Sequence, residues 1–592
     1  MRISCVIGEI CPVFRKHFSA FPGATAALEI TAFGVYEAFL NGQRIGNFFL
    51  ASGWTSYPTR LQVQTYALTA LLREENELTV TLGKGWFAGR ISAGVYQALA
   101  DGPRLLAALH LTGADGTREY ATDESWQWAE SPIRFSDIYD GETYDAYVTP
   151  ENWRFCRTDS CGKQMLIPQE GEIVTEHERL GWTGDAQVSI RAIACTFDGK
   201  RFFAKWLRDM AAEQREDGAV SHFVPNAGLF TKDPALFCGG SAWADAAAIC
   251  PWQLYQAYGD KALLREHLPM MQKWVEYVRR TAGDGCIWST GHHYGDWLAL
   301  DAGEGNYTGA SRKEFIATAF YAHSVQLLAQ AMDALDMDGA AHHRLFEAIR
   351  AAHQNAFPDC HTQTECALAL HFGLAANPDR VAAQLAELVR SNGNRLTTGF
   401  VGTPYLLHAL SENGYAQTAY DLLLQTKAPS WLFSVKMGAA TVWEHWDSRK
   451  ADGSFWSTDM NSFNHHAYGA VADWLYAAAG GIRPGKPGYE NVIFAPVPDR
   501  RLQSFEVELH TPHGICKSAW TWQIVKPQLH VVLRAGFCQL RNQVAAKRRT
   551  GHAVIMVIVC VEKCKTLMVL GSYDDVLHTR LLRKLHSIVS TE

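Results

Sequence analysis

The apolar residues of this 592-residue chain change their spacing twice, and this change constrains the fold more than any other feature. Between about residues 23 and 150, apolar and polar residues alternate in short runs, as in β-strands with one buried face. From about residue 186 the apolar residues recur at helical intervals, and after about residue 481 the alternation returns. Because the chain is several times longer than a domain of ~100 to 200 residues, we expect a helical domain between two β-domains.

Two local patterns illustrate the change. Asn41-Gly42 lies between two alternating segments, which predicts a β-hairpin. In residues 261–280 the apolar residues are spaced by three and four, which predicts one apolar face of a helix that Pro269 kinks. The members of that face are Leu264, Leu268, Met271, Val275 and Val278. About eleven such helical segments lie between Ala186 and Ala479, a number that favours a toroid of paired helices.

Composition narrows the function. The formal net charge is −7 and no long basic stretch occurs, so nucleic acid is not an expected partner. No run reaches the ~18 to 20 apolar residues of a membrane helix and no signal peptide is recognisable, so we expect a cytoplasmic protein without a membrane partner. The fourteen cysteines have no metal-binding spacing, and we expect no metal. Nineteen tryptophans exceed the needs of a core and suit a carbohydrate partner.

Candidate chemistry lies in loops that combine carboxylates with tryptophan. No phosphate-binding glycine loop, HExxH or GxSxG segment is present, which argues against kinases, zincins and serine hydrolases. The segment EHERLGWTGDAQ holds Glu178, Trp182 and Asp185, although Asp185 alone is typical of a helix N-cap. The segment GHHYGDWLALD holds Asp296 and Trp297, with a solvated loop as the simpler interpretation and its paired histidines as only a weak metal signal.

Two further segments lie near residue 450. In GAATVWEHWDS, Glu444 lies between Trp443 and Trp446, and a carboxylate among indoles is poorly hydrated, which suits acid or base chemistry. The alternative is a surface glutamate with inward-facing tryptophans. In NSFNHHAYGAV, His465 either donates to a sugar hydroxyl or caps a helix. Taken together these loops favour a glycosidase, because glycosidic cleavage needs two carboxylates around an aromatic-lined pocket.

The chain resembles bacterial α-L-rhamnosidases of glycoside hydrolase family 78. The likeness lies in GVYEAFLNGQRIG, ASGWTSYPTRLQVQTY, GKGWFAGR and IRFSDIYDGETYDA, and in ERLGWTGDAQ, SAWADAAAICPWQLY, YGDWLALD, LTTGFVGTPYLL, PSWLFSVKMGAATVWEHWD and NSFNHHAYGAV. The resemblance implies a multidomain fold, in which an (α/α)6 toroid of the six-hairpin glycosidase type is flanked by N-terminal and C-terminal β-sandwich domains. The expected domains are an N-terminal β-sandwich or jelly roll over 1–160, a junction over 161–178, the toroid over 179–481 and a C-terminal β-domain over 482–592 with an atypical tail after about 528.

The same resemblance implies roles for single residues. Glu178 matches the general acid and Glu444 the general base of an inverting hydrolase, with their carboxyl groups expected about 6.5 to 9.5 Å apart. The expected substrate-binding residues are Trp182, Asp185, Trp243, Asp296, Trp297 and His465. The implied substrate is a rhamnose-containing glycoside or oligosaccharide, no cofactor is required, and a homodimer remains open.

The sequence departs from the family between its first two domains. LIPQEGEIVTEHERL runs directly into GWTGDAQ, whereas relatives carry a second β-sandwich and the first toroid helix at this place. Ile173 consequently stands where the family has another rhamnose-binding aspartate. We expect the chain to be less stable and less active than one with that segment restored. A carbohydrate-binding relic without hydrolysis and another toroid glycosidase or lyase remain alternatives.

Overall fold

The structure is a computed structural model. It describes residues 2–4, 10–92, 95–96, 102–114, 116–159, 165–169, 180–226, 237–303, 305–457, 461–523, 528–535, 555–561 and 564–571. Contacts divide the chain into two compact units. The sheet unit contains residues 1–182, 201–216 and 220–238, and the helical unit contains residues 183–200, 217–219 and 239–592.

The sheet unit is a β-sandwich. Its strands are β1 (Arg2–Ser4), β2 (Pro12–Ser19), β3 (Thr25–Phe33), β4 (Val35–Leu40), β5 (Gln43–Arg44), β6 (Arg60–Ala67), β7 (Glu75–Gly83), β8 (Arg90–Ser92), β9 (Val95–Tyr96), β10 (Arg104–Gly113), β11 (Gly116–Ala121), β12 (Gln127–Glu130), β13 (Ile133–Asp137), β14 (Gly141–Tyr144), β15 (Arg154–Phe155), β16 (Arg157–Asp159) and β17 (Met165–Pro168), with the short helix α1 (Gly85–Ala88) after β7.

Two sheets enclose the core of this unit. One has the order β16-β1-β10-β3-β6-β17 with β11 beside β10, and the other has the order β15-β12-β2-β7-β4-β5. The alternating residues predicted to face inward do so: Leu28 and Ile30 of β3 pack in one cluster with Leu78 and Val80 of β7. The predicted hairpin is confirmed, because β4 pairs with β5 across Asn41-Gly42, both with positive φ.

Helix α3 (Lys200–Glu213) has almost all its residues in the sheet unit, although its apolar spacing is helical. Its Asp209 side chain is fully buried and binds groups of the 55–60 loop: Thr55 Oγ1 donates to Oδ1 at 2.8 Å and Arg60 lies 3.2 Å away. Lys205 Nζ lies 2.7 Å from the other carboxylate oxygen. The sequence predicts that residues 179–481 form one helical domain. The contacts of Asp209 instead group α3 with the strands of the sheet unit.

The helical unit contains the remaining helices. They are α2 (Thr183–Thr196), α4 (Ala246–Tyr258), α5 (Lys261–Ala282), α6 (Lys313–Ala334), α7 (Ala340–Ala356), α8 (Gln363–His371), α9 (Pro378–Ser391), α10 (Thr403–Glu412), α11 (Ala416–Leu423), α12 (Trp431–Lys436) and α13 (Val471–Trp474). A 3-10 turn (Ala467–Ala470) precedes α13 and a π turn (Leu475–Ala479) follows it, so residues 467–479 form one last helical segment.

Six helices form a closed ring. α2 packs on α4, α4 on α6, α6 on α8, α8 on α10, α10 on α13 and α13 on α2. Alternating with them along the chain, α5, α7, α9 and α11 pack against their chain neighbours, and the predicted apolar face of α5 is buried as expected. With α3, the described part of residues 183–479 has eleven helical segments of eight residues or more. Residues 165–169 and 180–182, which precede α2 in the described part of the chain, contain no helix, and the missing first helix stays a prediction.

An ion cluster of one buried and two partly exposed side chains joins the first and last members of this ring. Asp473 of α13 lies 3.2 Å from the guanidinium of Arg191 on α2 and 2.8 Å from Nε2 of His408 on α10. Burial opposes the ionisation of Asp473, but the charges of Arg191 and His408 outweigh it and hold the pKa of this carboxyl well below its usual range. The cluster therefore fastens the closure of the ring.

The C-terminal strands belong to the helical unit. They are β18 (Ile482–Pro484), β19 (Val492–Phe494), β20 (Ser504–Thr511), β21 (Gly514–Gln523), β22 (Gln528–Ala535), β23 (Ile555–Val561) and β24 (Cys564–Gly571). β18 and β19 form a hairpin, and β20 to β24 form one five-stranded sheet. This sheet packs on the ring: Trp520 Nε1 donates to the Ala479 carbonyl at 2.8 Å. None of the helices in the described residues has both the length and the hydropathy needed to cross a bilayer.

Candidate functional site

The first turn of α2 carries a buried acid–histidine pair. Asp185 Oδ1 lies 3.0 Å from Nε2 of His465, and both side chains are almost inaccessible. Nδ1 of His465 accepts from the Ala467 backbone N–H at 3.4 Å, so Nε2 carries the proton directed at Asp185. Asp185 lies inside the first turn of a helix that begins at Thr183, so the N-cap interpretation is wrong. His465 both pairs with Asp185 and caps the last helical segment.

Trp243 packs directly on that turn. A Cβ added to Gly184 would come within 2.5 Å of the Trp243 ring, so glycine is required for the indole to lie against α2. Ala242, just before it, has φ +65°, a conformation that costs a non-glycine residue energy and persists only where the surroundings impose it. On its other side the Trp243 ring lies 4.4 Å from that of Tyr294. The indole is therefore fixed between two predicted site segments.

Asp296 is surrounded by hydrogen-bond donors of the protein itself. Its carboxylate is fully buried, Oδ2 accepts from Thr364 Oγ1 and from the Gly399 N–H at 2.9 Å, and Oδ1 accepts from the N–H groups of Val401 at 2.8 Å and Gly402 at 3.1 Å. Four donors occupy its acceptor capacity. Burial raises the pKa of Asp296 to about 6 although these hydrogen bonds favour ionisation. In this structure the Asp296 carboxylate binds the 399–402 loop, and a role in substrate binding stays a prediction.

Trp297, in contrast, is partly exposed and belongs to a row of rings. Its centroid lies 5.8 Å from that of Tyr294 and 5.6 Å from that of Tyr307. Tyr307 in turn lies 5.7 Å from Trp456. Leu298, next in the chain, has φ +60°, a second strained residue beside a predicted site tryptophan. Neighbouring rings of this row are edge-on or tilted to one another, so the row offers separate aromatic faces of the kind on which apolar sugar faces pack.

Backbone groups of Ser462 hold Glu444. Its N–H donates to the Ser462 carbonyl at 2.9 Å, and its Oε2 accepts from the Ser462 N–H at 2.8 Å. The side chain is only half-buried, so the remaining lone pairs are open to a ligand or to water. The flanking segment is anchored as well, since the His465 N–H donates to the Val442 carbonyl and Trp446 Nε1 donates to the Thr398 carbonyl at 3.2 Å. Trp443 and Trp446 are buried, as the inward-facing interpretation requires.

Sequence reasoning missed two features near Glu444. His445 is buried, pairs through Nδ1 with Asp447 at 2.5 Å and stacks on Trp456 at 3.9 Å, and the EHWD spacing was the only available signal. A pocket of about 390 Å³ lies beside Trp443 and is also lined by Arg449, which belongs to the same strand-like turn as Phe455.

His293 of GHHYGDW has both ring nitrogens bonded to the backbone. Nδ1 of His293 accepts from the Ser241 N–H at 3.1 Å, and Nε2 donates to the Thr290 carbonyl at 3.0 Å. Burial lowers the pKa of His293 to about 4, so the ring is neutral. With both ring nitrogens engaged, His293 orders the loop that carries Trp243.

The structure thus places six of the predicted residues on segments that contact one another, and we call this set the loop cluster: Asp185, Trp243, Asp296, Trp297, Glu444 and His465. Trp182 belongs to the sheet unit, where its ring packs edge-on against Phe223. Glu178 and Ile173 lie outside the described residues, so the expected separation between the carboxyl groups of Glu178 and Glu444 stays a prediction.

Models of known protein families match most of this chain. The model of the bacterial α-L-rhamnosidase six-hairpin glycosidase domain matches residues 175–479, more than half of the chain. The chain belongs to the bacterial α-L-rhamnosidase family. The rhamnosidase N-terminal domain matches residues 23–169 and the rhamnosidase C-terminal domain residues 481–534, so the multidomain toroid fold expected from the sequence is confirmed.

Two curated rhamnosidases are similar over most of the chain. The α-L-rhamnosidase of Streptomyces avermitilis is 29% identical over 668 residues, covering 84% of this chain and 63% of its own length. One from Formosa agariphila is 26% identical over 678 residues, with 84% of this chain and 72% of its own length covered. Both alignments are longer than the chain itself, so this rhamnosidase-family chain lacks residues that its relatives have.

Solved rhamnosidases have the same fold. The S. avermitilis enzyme complexed with L-rhamnose superposes with a TM-score of 0.79 at 26% identity, covering 96% of this chain and 71% of that one. The Aspergillus terreus α-L-rhamnosidase gives a TM-score of 0.83 at 24% identity, covering 96% of this chain and 85% of that one.

Proposed function

We propose that this chain is an α-L-rhamnosidase that releases terminal rhamnose with inversion. The observation that carries the proposal is the loop cluster: a half-buried Glu444, a buried Asp185–His465 pair and the indoles of Trp243 and Trp297 lie on neighbouring segments of a toroid of the rhamnosidase family. The relative from S. avermitilis binds L-rhamnose on the same fold, which supports rhamnose as the sugar.

The reaction is a single displacement. Glu444 takes a proton from water, and the water oxygen attacks the anomeric carbon from the face opposite the glycosidic oxygen. The bond between the anomeric carbon and that oxygen breaks, its electron pair stays on the oxygen, and Glu178 supplies the proton that makes the departing alcohol. One water is consumed and β-L-rhamnose is the first sugar product. Asp185 and His465 would bind sugar hydroxyls, and Trp243 and Trp297 would pack on the apolar ring face.

A second candidate is a rhamnose-binding protein without hydrolysis. It is favoured by the alignments, which run longer than the chain and so leave residues of the relatives unmatched.

The test combines a panel of 4-nitrophenyl glycosides with proton NMR of the first product. Rhamnoside turnover with the β-anomer appearing first supports the inverting hydrolase. L-rhamnose binding by calorimetry without turnover supports the second candidate, and turnover of another glycoside alone overturns both. Glu178→Gln should lose activity on rhamnosides with poor leaving groups and keep more of it on 2,4-dinitrophenyl rhamnoside, whose oxygen needs no acid.

A further inference from the structure

The 399–402 loop is shaped around one carboxylate. Its N–H groups at Gly399, Val401 and Gly402 all point at Asp296, on a segment about a hundred residues earlier in the chain. Two glycines make this approach possible. A Cβ at Gly399 would lie 2.1 Å from the Trp297 carbonyl oxygen, and one at Gly402 would lie 2.3 Å from Thr364 Oγ1. The loop can close on Asp296 only without side chains at both positions.

The same loop presents a phenylalanine to the acid–histidine pair. The Phe400 N–H donates to the Trp297 carbonyl at 2.8 Å, which ties the loop to the segment of the exposed indole. The Phe400 ring is buried, with its centroid 5.0 Å from the His465 ring and 5.2 Å from Tyr468. His465 therefore meets Phe400 on its ring face while its Nε2 meets Asp185.

We infer that Asp296 is a positioning residue, which through the 399–402 loop holds Phe400 against His465 and so sets the orientation of the His465–Asp185 pair toward the sugar. This inference rests on the proposed function for its kinetic consequence but not for its structural one. Ionised Asp296 offers acceptors to all four donors, whereas an amide at this position turns N–H groups toward donors and must release part of the loop. Thr364 completes the arrangement through its hydroxyl.

The experiment compares five variants of the full chain. Asp296→Asn and Thr364→Val each remove some of the hydrogen bonds made by the Asp296 carboxylate, and Thr364→Ser restores the hydroxyl. Phe400→Leu keeps these hydrogen bonds but removes the aromatic ring that packs on His465. Glu365→Gln is the matched control: Glu365 lies on the same turn of α8, is fully buried and is paired with Arg312 at 2.7 Å, but it is not bonded to the 399–402 loop.

For rhamnoside hydrolysis at pH 7, per folded molecule, we expect kcat/KM to fall about tenfold to a hundredfold in Asp296→Asn and Phe400→Leu, since a displacement of ~1 Å at a site has that cost. The inhibition constant of L-rhamnose should rise with it. The kcat/KM of Thr364→Val should also fall, and that of Thr364→Ser should be close to the parent value. Glu365→Gln should melt earlier with unchanged kinetics, which separates positioning from loss of stability.

Hydrogen exchange gives a readout independent of activity. In Asp296→Asn the amides of residues 399–402 and 465–467 should exchange faster, and in Glu365→Gln they should not. Unchanged exchange at 465–467, or normal kinetics in Phe400→Leu beside impaired Asp296→Asn, would overturn the inference. If the parent chain neither hydrolyses rhamnosides nor binds L-rhamnose, the proposed function fails while the exchange result still decides the role of Asp296.

Discussion

Asp296 of the loop cluster is fully buried and Asp473 of the ion cluster is largely buried, and the two carboxylates are satisfied in opposite ways. Asp296 accepts hydrogen bonds from backbone N–H groups and a hydroxyl, all neutral. Asp473 is bound by the charged Arg191 and by His408. Burial raises the pKa of Asp296 to about 6, whereas for Asp473 the cations overcome burial and lower the pKa. The neutral donors around Asp296 order a loop but do not fully offset the burial of its charge. The cations around Asp473 do offset it and connect helices.

This contrast separates two functions within one helical unit. Replacements in the loop cluster should act mainly on binding and catalysis, because its carboxylates orient loops or face a ligand. Replacements in the ion cluster should act on stability, because removing one partner leaves an uncompensated buried charge.

The largest effect is expected at Glu444. Glu444→Gln removes the base that activates water, and general bases contribute about 10²- to 10⁴-fold, so kcat on an aryl α-L-rhamnoside should fall by that order. The Ser462 N–H can still donate to the amide oxygen, so the melting temperature should stay close to that of the parent chain. Steady-state kinetics and calorimetry measure both. Unchanged turnover would show that Glu444 is not the base, and Glu444 and Asp296 would then no longer differ in their proposed roles.

Asp473→Asn should have the largest effect on stability. It removes the nearest carboxylate from Arg191 and His408 at the closure of the ring and, among the described residues, leaves only Glu412, 3.6 Å from His408, so the loss should lie toward the low end of the about 3 to 5 kcal/mol that breaking a buried ion pair costs. Urea unfolding at pH 7 measures the loss, with Asp336→Asn as a control for an exposed ion pair with Lys261. The folded fraction should keep its kcat/KM. A catalytic loss without a stability loss would contradict the division between the two clusters.

The pH dependence of stability should have opposite signs for the two aspartates. Since the folded pKa of Asp296 is raised from 3.8 to about 6, its contribution falls as pH rises across that interval, by about 3 kcal/mol at most. Asp473 has a lowered folded pKa, so its contribution is present above its unfolded pKa and is lost as pH falls through the folded value. Burial opposes protonation of His408, but Asp473 raises its pKa, so its stabilisation is lost as pH rises through the folded value.

The measurement is the free energy of unfolding of the parent chain minus that of Asp296→Asn or Asp473→Asn, between pH 3.5 and 7. The first difference should decrease with pH, whereas the second should rise between pH 3.5 and about 4.5, where the unfolded Asp473 carboxyl finishes ionising, and then level off. Equal slopes would mean that the cations around Asp473 do not govern its ionisation.

The sequence predicts which loops carry candidate site residues, but it does not predict the role of each carboxylate. Asp296 and Glu444 both stand beside tryptophan in Gly- and His-rich segments, so they look alike in the sequence. What separates them is the donors around Asp296 on the distant 399–402 loop, which local patterns cannot bring together. In the same way the spacing of α3 predicts a helix, while its grouping with the strands depends on Asp209 meeting Thr55. The spacing of apolar residues predicts local structure. Which donors bind a carboxylate depends on contacts between segments that are far apart in the chain.

The smallest effect is expected at Ser462, the partner of Glu444. Ser462 holds Glu444 through its own N–H and carbonyl, whereas its hydroxyl only accepts from the Asn464 N–H at 3.2 Å. Ser462→Ala keeps both backbone bonds, so stability should change by no more than about 0.5 kcal/mol, the range of replacements that disturb no packing, and kcat/KM should stay within about twofold. Ser462→Pro deletes the N–H that Glu444 accepts and should lower kcat far more. Kinetics of the two variants beside Glu444→Gln settle the point: a large loss in Ser462→Ala would show that the hydroxyl, and not the backbone, positions the base.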